Sequence, residues 1–561
     1  MGSGGAGVLT VGNLLLGAAA RSGCYGLLTR SVGPQIRGGE AAAMLRLSRR
    51  PVHTQGDGHD LLVALDWSNV ERFAGEIVLG PRSVVVSDPD AGEVPAVVAA
   101  EGARQLSLPM KRLAKAIPGG RPNMVALGAI AAMLGLAESA VLGAVEKALA
   151  TKGAQVLEAS REAVRAGARA GAELGVSFSL GTVAVDGGRW LVTGNEAAGL
   201  GALRGGVRFV AGYPITPATD LLEWLAPAIA QVGGALVQAE DELASINMLI
   251  GASFGGVPSL TATSGPGFAL MTESLGLAVA AEVPVVVVNV MRGGPSTGIP
   301  TKSEQADLNI AVYGLHGDAP HLVLAPTQVA DCLFTTQWAV YLAERLQTPA
   351  VVLSDQFLGQ ARSVIDRPPE VGFAAQRERA VNGGEAYGRY RLTPNGVSPV
   401  AVPGAPGGEY TADGLTHDEF GTPSSRAGDH RAQLDKRRDK LAAFDYGPHW
   451  ADVEGEGKLA VITWGSVTGA VREAVDGLRA AGTPVRLIAL RLLAPMLHER
   501  LAAALDGVQR VLVVEQSHSG QFHGYLRAQG ELSAVVQAFH RPGPLPIRPG
   551  EVRAQIEALG G

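Results

Sequence analysis

Between Val207 and Leu353 short β-rich runs alternate with longer Ala/Leu-rich segments, and no other feature restricts the fold as much. Strands are expected at Val207 to Ala211, Ala235 to Gln238, Ser259 to Thr263, Pro284 to Val290, Leu322 to Leu324 and Ala350 to Leu353. Helices are expected at Asp220 to Gln231, Glu242 to Ser253, Phe268 to Ala281 and Gln328 to Arg345. Such alternation is βαβ logic, which predicts an α/β fold with a parallel sheet covered by helices. The run VVVVN at Val285 to Asn289 has the unbroken apolar character of a strand buried on both faces.

The flanks differ. From Ile365 to about Lys440 the periodicity lapses into GGEAYGRYRLTPNG, VPGAPGGEY and DKRRDK, which reads as a long crossing segment, with Tyr387, Tyr390, Tyr410 and Phe420 holding it to the surface. Strands at Leu459 to Thr463, Val485 to Ile488 and Val511 to Val514, with helices near Ala470 to Ala481 and Leu497 to Leu505, then predict a smaller α/β domain. The N-terminal third adds an amphipathic helix at Val8 to Ala20 and strands at Ala42 to Leu47 and Leu61 to Leu65. At 561 residues the chain has room for three or four domains.

Composition excludes several functions. With 47 Lys and Arg against 53 Asp and Glu, a net charge of −6 argues against nucleic-acid binding through phosphates. No run of about 20 apolar residues predicts a membrane span, and a cytoplasmic location is expected. Two cysteines, Cys24 and Cys332, cannot by themselves ligate a four-cysteine iron-sulfur cluster or build a disulfide framework. Glycine, at 75 residues, is about twice its usual share.

Gly2, Gly4 and Gly7 fit G-x-G-x-x-G, whose turn leaves helix-terminal amides free for phosphate, yet only Met1 precedes them where a dinucleotide fingerprint needs a strand. GASFG at Gly251 to Gly255 matches G-x-S-x-G, but Ser253 ends a helix and so does not sit on a nucleophile elbow. Gly56-Asp57-Gly58 begins a diphosphate motif that no Asn-Asn pair completes. The informative region is Gly212 to Lys302: GYPITPATD, AEDELASINMLIGAS, TSGPG and NVMRGGPSTGIPTK each follow one of four predicted parallel strands. All four loops therefore lie at the carboxyl edge of one sheet, where α/β folds bind ligands.

YPITP at Tyr213 to Pro217, TSGPG, RGGPSTGIPT at Arg292 to Thr301 and VEQSHSGQ at Val514 to Gln521 resemble the α subunits of 2-oxoacid:ferredoxin oxidoreductases. SVGPQIRGGE at Ser31 to Glu40 is similar to the signature of the γ-type domain fused ahead of some of them, and THDEFG at Thr416 to Gly421 to their interdomain segment. The 2-oxoglutarate branch is the nearest in kind. The resemblance implies a γ-type domain at 1–187, the pyrimidine-binding domain of a thiamine-diphosphate fold at 188–365, an interdomain segment at 366–455 and a transketolase-C-like α/β domain at 456–561. It implies oxidative decarboxylation of a 2-oxoacid with coenzyme A, giving acyl-CoA, carbon dioxide and electrons for ferredoxin. The same chemistry on pyruvate or branched 2-oxoacids, and a non-catalytic CoA- or nucleotide-binding scaffold, are the competing expectations.

In that chemistry thiamine diphosphate is the electron sink and needs a carboxylate on its aminopyrimidine ring nitrogen. Glu242 opens a helix nine residues before Gly251 and is given that role, with Glu240 its rival; a helix-terminal acid favoured by the dipole is the plain alternative for either. Ser264, Gly265 and Gly267 of TSGPG complete the expected cofactor-binding set. Arg292 ends a buried strand at a glycine-rich loop, from which a guanidinium can grip a carboxylate with two donors. Thr216 is expected at the substrate's reacting carbonyl, and Tyr213, Thr297 and Thr301 in substrate binding, although turn capping would also explain the threonines. Gly4, Gly5, Gly7 and Arg37 are associated with coenzyme A. No metal is assigned to this chain: magnesium, the diphosphate-binding domain and the iron-sulfur cluster are expected in a partner β subunit, and the assembly as a dimer of αβ pairs.

Overall fold

The β-rich runs of the middle region form the expected parallel strands. In the computed structural model, which describes residues 1–560 other than 34–38, 100–101, 179, 181–186, 381–386 and 531–533, contacts gather the chain into two units. One is Met1–Thr193 with Ala361–Pro369, the other Gly194–Gln360 with Glu370–Gly561.

Among its described residues the second unit holds a seven-stranded sheet, in the order Leu492–Ala494, Leu322–Leu324, Ala350–Asp355, Val286–Met291, Ser259–Thr263, Phe209–Gly212, Ala235–Gln238. Six strands run parallel; Leu492–Ala494, from the C-terminal region, pairs antiparallel. Val286–Met291 lies at the centre and is buried throughout, as an apolar strand covered on both faces must be. Helices Thr219–Ala230, Glu242–Phe254, Gly265–Ala280 and Asp331–Leu346 connect and cover the strands. The α/β expectation is therefore borne out.

A second sheet of five strands, Ala451–Glu454, Arg486–Leu490, Leu459–Trp464, Arg510–Glu515 and Val535–His540, forms the C-terminal module of this unit. Its core joins Val461, Val471, Val475, Leu487, Val514, Val552 and Ile556. Between the two sheets' segments the expected crossing, held to the surface by its aromatic side chains, is only partly observed. Tyr390 is fully buried and Tyr387 and Tyr410 half-buried, but Phe420 is 50% exposed. The segment also ends in a 16-residue helix, Ala427–Ala442, which the lapse in apolar periodicity concealed. That helix buries Gln433, Lys436, Arg437 and Lys440 alongside a single aliphatic side chain, Leu441, and Glu282 pairs with two of the buried cations.

The first unit pairs Gly2–Ser3, Glu40–Ser48, Tyr25–Val32, Arg362–Asp366 and Arg189–Thr193 in an antiparallel sheet, beside a parallel one of Leu61–Ala64, Val84–Ser87 and Arg104–Ser107. The glycine run itself begins as strand: Gly2–Ser3 is a two-residue strand, and the Met1 backbone bonds to Val63 and Leu65. Gly7 then opens helix Val8–Arg21 at φ 83°, where a side chain would strike Asn123. Among the described residues no helix is long and apolar enough to cross a membrane.

Candidate active site

The site is built on two adjacent central strands and the loops at their carboxyl ends. Ser259–Thr263 and Val286–Met291 run in register, Thr263 opposite Asn289. Beyond Thr263 the TSGPG turn starts helix Gly265–Ala280, and beyond Met291 Arg292 opens the second loop.

Glu242 lies at the first position of its helix, with Asp241 as the N-cap, its Oδ1 accepting from the Ala244 amide at 2.6 Å. The capping role is thus filled by Asp241, and Glu242 is free to turn inward, where it is 6% exposed. Its carboxylate rests against the Cα of Gly267, where any added Cβ would strike Glu242 and Thr263. Glycine at 267 is therefore a spatial requirement. Gly251, whose spacing singled out Glu242, has open space around it. Glu240 stands exposed at the preceding strand end.

Across the same turn a second carboxylate approaches Gly265. Asp307 accepts a hydrogen bond from Asn289 Nδ2 at 2.9 Å, and a Cβ at Gly265 would fall 2.9 Å from its Oδ2. The first turn of one helix thus has Glu242 on one side and Asp307 on the other, a location where the helix dipole favours negative charge. Burial nevertheless pushes the Asp307 carboxyl above its usual pKa, against the opposing effects of Asn289 and Arg292.

Arg292 is 7% exposed and donates from Nη1 to the Thr216 carbonyl at 2.6 Å, tying RGGPSTGIPT to YPITP. Burial lowers its pKa, partly offset by Asp307. The loop after it closes on itself: the Ile299 amide donates to the Gly293 carbonyl at 2.8 Å and the Gly293 amide to the Lys302 carbonyl at 3.1 Å. Gly298, at φ 53°, faces the Gly293 carbonyl and leaves no room for a side chain.

Three buried polar atoms here have no hydrogen-bond partner among the described residues: Ser264 Oγ, Asn289 Oδ1 and Arg292 Nε. Such atoms are costly unless a ligand or water satisfies them. The structure thus brings together Thr216, Glu242, Ser264, Gly265, Gly267 and Arg292. Tyr213 and Thr297 are exposed on the same loops, and Thr301 is half-buried and engaged with a neighbour. In the other unit Gly4 and Gly5 lie in the turn before Gly7, whereas Arg37 falls outside the described residues. Sequence reasoning missed Asn289 and Asp307. A polar residue inside an otherwise apolar buried strand was a usable signal for Asn289; Asp307 offered none, since its partner is 18 positions away in another element.

Comparison with known proteins decides the family. The model described as pyruvate flavodoxin/ferredoxin oxidoreductase, thiamine diP-bdg, matches residues 200–436, that of pyruvate ferredoxin/flavodoxin oxidoreductase residues 1–170, and that of pyruvate:ferredoxin oxidoreductase core domain II residues 457–543. The chain is 35% identical over 378 residues to 2-oxoglutarate synthase subunit KorA of Methanothermobacter marburgensis, covering 66% of this chain and 99% of that one. It belongs to the 2-oxoacid:ferredoxin oxidoreductase family. The resemblance read from YPITP and RGGPSTGIPT is thereby borne out. Within the family it is also 36% identical over 352 residues to the 2-oxoacid:ferredoxin oxidoreductase subunit alpha of Saccharolobus solfataricus, covering 58% of this chain and 55% of that one. A solved 2-oxoglutarate:ferredoxin oxidoreductase from Magnetococcus marinus, with 2-oxoglutarate, coenzyme A and succinyl-CoA bound, superposes with a TM-score of 0.91 at 35% identity over 99% of this chain and 98% of that one.

Proposed function

We propose that this chain is the α subunit, with fused γ-type domain, of a cytoplasmic enzyme that oxidatively decarboxylates 2-oxoglutarate to succinyl-CoA and carbon dioxide and passes the electrons to ferredoxin. One observation carries the reading: a buried carboxylate, Glu242, that no described side chain or amide binds, seated over a glycine beside a second loop whose arginine has an unsatisfied donor. These residues fit the pyrimidine half of thiamine diphosphate, since an unpartnered carboxylate in a cradle that a Cβ would fill can accept a ring N–H. When bound, that cofactor supplies the electron sink for decarboxylation. Glu242 holds the proton at the ring nitrogen, and burial favours it over exposed Glu240. Ser264, Gly265 and Gly267 line the cradle. Arg292, fixed through Nη1 to the Thr216 carbonyl, keeps Nε for the substrate carboxylate, with Tyr213, Thr297 and Thr301 on the surrounding loops. The Thr216 hydroxyl serves the reacting carbonyl.

The rest of the site belongs to a β subunit that holds the diphosphate through magnesium and carries the iron-sulfur cluster, in an (αβ)2 assembly. The exposed apolar side chains Tyr213, Leu243, Met248, Leu270 and Ile299 around the Gly212 to Lys302 loops suit a face covered by such a partner. Coenzyme A is associated with the γ-type domain through Gly4, Gly5, Gly7 and Arg37, and the division at 187, 365 and 455 accompanies this assignment. The chain purified alone should show neither iron-sulfur absorption nor viologen reduction with 2-oxoglutarate, coenzyme A, thiamine diphosphate and magnesium; the co-purified pair should show both. Turnover by the single chain would overturn the split site, and a pair preferring pyruvate or a branched 2-oxoacid would overturn the substrate.

A further inference from the structure

The C-terminal module grips the segment Ser303–Asp307, which runs from the arginine loop back to the carboxyl edge of the sheet. Gln305 is fully buried. Its amide donates to the Gln516 carbonyl at 2.8 Å, its Oε1 accepts from the Gln516 amide at 2.7 Å, and its Nε2 donates to the Trp464 carbonyl at 2.8 Å. Gln521 repeats the pattern one step on, donating to the Ala306 carbonyl at 2.7 Å and accepting from the Asn309 amide at 2.9 Å. Three of these bonds hold the segment by its own backbone at Gln305, Ala306 and Asn309, and two more hold it by the Gln305 side chain, so together they fix where the segment lies.

What they fix is Asp307. It stands at the N-cap position of helix Leu308–Tyr313, yet its side chain makes no capping bond there. It turns instead to Asn289 and to the N-terminus of helix Gly265–Ala280, beside Ser264. By taking Asn289 Nδ2, the carboxylate decides which way that amide faces and leaves Oδ1 as the atom without a partner. No ion pair joins Asp307 to Arg292, so its influence on the guanidinium is through charge across a gap.

We propose that Asp307 is a positioning residue: clamped from behind by the C-terminal module through Gln305, it holds Asn289 and sets the charge facing Arg292 where the 2-oxoacid carboxylate is received, an inference that rests on the functional reading above. It gives the C-terminal module a part in substrate binding although none of its own side chains is placed in the site.

The test uses the co-purified complex with Asp307→Asn, which keeps shape and removes charge. KM for 2-oxoglutarate should rise on the order of 10- to 100-fold, as for misplaced binding groups, while kcat and iron-sulfur absorption change little. Arg292, released from its field, should also react several-fold faster with phenylglyoxal, read by peptide mass. Unchanged KM together with unchanged labelling overturns the proposal, and so does a fall in kcat at constant KM. Should Asp307→Asn fail to assemble, Asn289→Ser carries the same two measurements, and normal values there overturn it. A wild-type complex inactive on every 2-oxoacid would break the functional reading instead; the labelling rate, which needs no turnover, then still decides whether Asp307 acts on Arg292.

Discussion

Helix Gly265–Ala280 has a buried glutamate near each end, and the two are treated in opposite ways. Glu242, at the N-terminal end, is bound by no described donor. Glu282, just past the C-terminal end, accepts from Lys436 at 2.7 Å and Lys440 at 3.1 Å, all three side chains being nearly inaccessible. Around it Arg389 donates to the Glu282 carbonyl at 2.9 Å, and Arg437 donates to the Ala280 carbonyl at 2.9 Å, so cations also meet the negative end of the helix. A buried acid with both oxygens paired is a rivet, whereas one that no described side chain binds keeps its acceptors free.

The sharpest break of this comparison is Glu282→Gln. It leaves two lysines and two arginines buried with no counter-charge, and should cost about 3–5 kcal/mol, the usual penalty for a broken buried pair. Thermal unfolding of the complex reads it. The pH dependence has a defined sign. Burial works to raise the Glu282 carboxyl, but Lys440, Lys436 and Arg389 overcome it and hold the carboxyl well below the usual carboxylate range. Its contribution is therefore complete above its ordinary value of 4.5 and is lost as pH falls below that toward the folded value. Melting temperatures followed from pH 7 to pH 3 should drop less steeply for Glu282→Gln than for wild type.

At the other end the expected loss is in rate. Glu242→Gln should reduce turnover by on the order of 10²-fold or more, the scale of a removed acid-base group, with the melting temperature nearly unchanged because no native bond is broken. Gly267→Ala should reproduce that loss by displacing the same carboxylate, and Glu240→Gln should not; activity surviving the first two would make the unpaired glutamate a bystander. Arg292→Lys is milder. A lysine cannot present a planar fork, and losing one charged hydrogen bond, about 1.5–3 kcal/mol, should raise the 2-oxoacid KM at least about tenfold with smaller change in kcat.

The two ends also differ in how much of them was legible. The active end was, because each element there is short-range: a strand of VVVVN, a glycine turn, a helix-opening acid, and loops whose placement follows from βαβ handedness. Arg292 stood out by its place at a strand end, and Glu242 by its place at a helix start together with the family resemblance. The rivet was not, since Ala427–Ala442 has no apolar stripe and its charged run reads as solvated, while the acid that neutralises it lies more than 150 positions earlier. Asp307 escaped for the same reason on a smaller scale. Periodicity reveals which face is apolar; it does not reveal a buried face made of paired charges.

The smallest effect tests whether the helix between the two glutamates is a passive spacer. Gly276 lies in its body at ordinary helical φ, and a Cβ there meets nothing within 4 Å outside the helix itself. Gly276→Ala removes backbone freedom from the unfolded chain and strains nothing in the folded one, so it should stabilise the protein by about 0.5–1 kcal/mol. Gly265 and Gly267, one helix turn or more toward the N-terminus, cannot accept the same change, because Asp307 and Glu242 occupy the space. Three glycines of one helix thus separate into two whose absence of a side chain makes the site and one whose absence does nothing for it. A higher melting temperature with unaltered kcat and KM in Gly276→Ala is the expected outcome, read by calorimetry and steady-state assay of the same preparation. A loss of activity there would mean that the helix must flex along its length to work, and that its two ends are not independent.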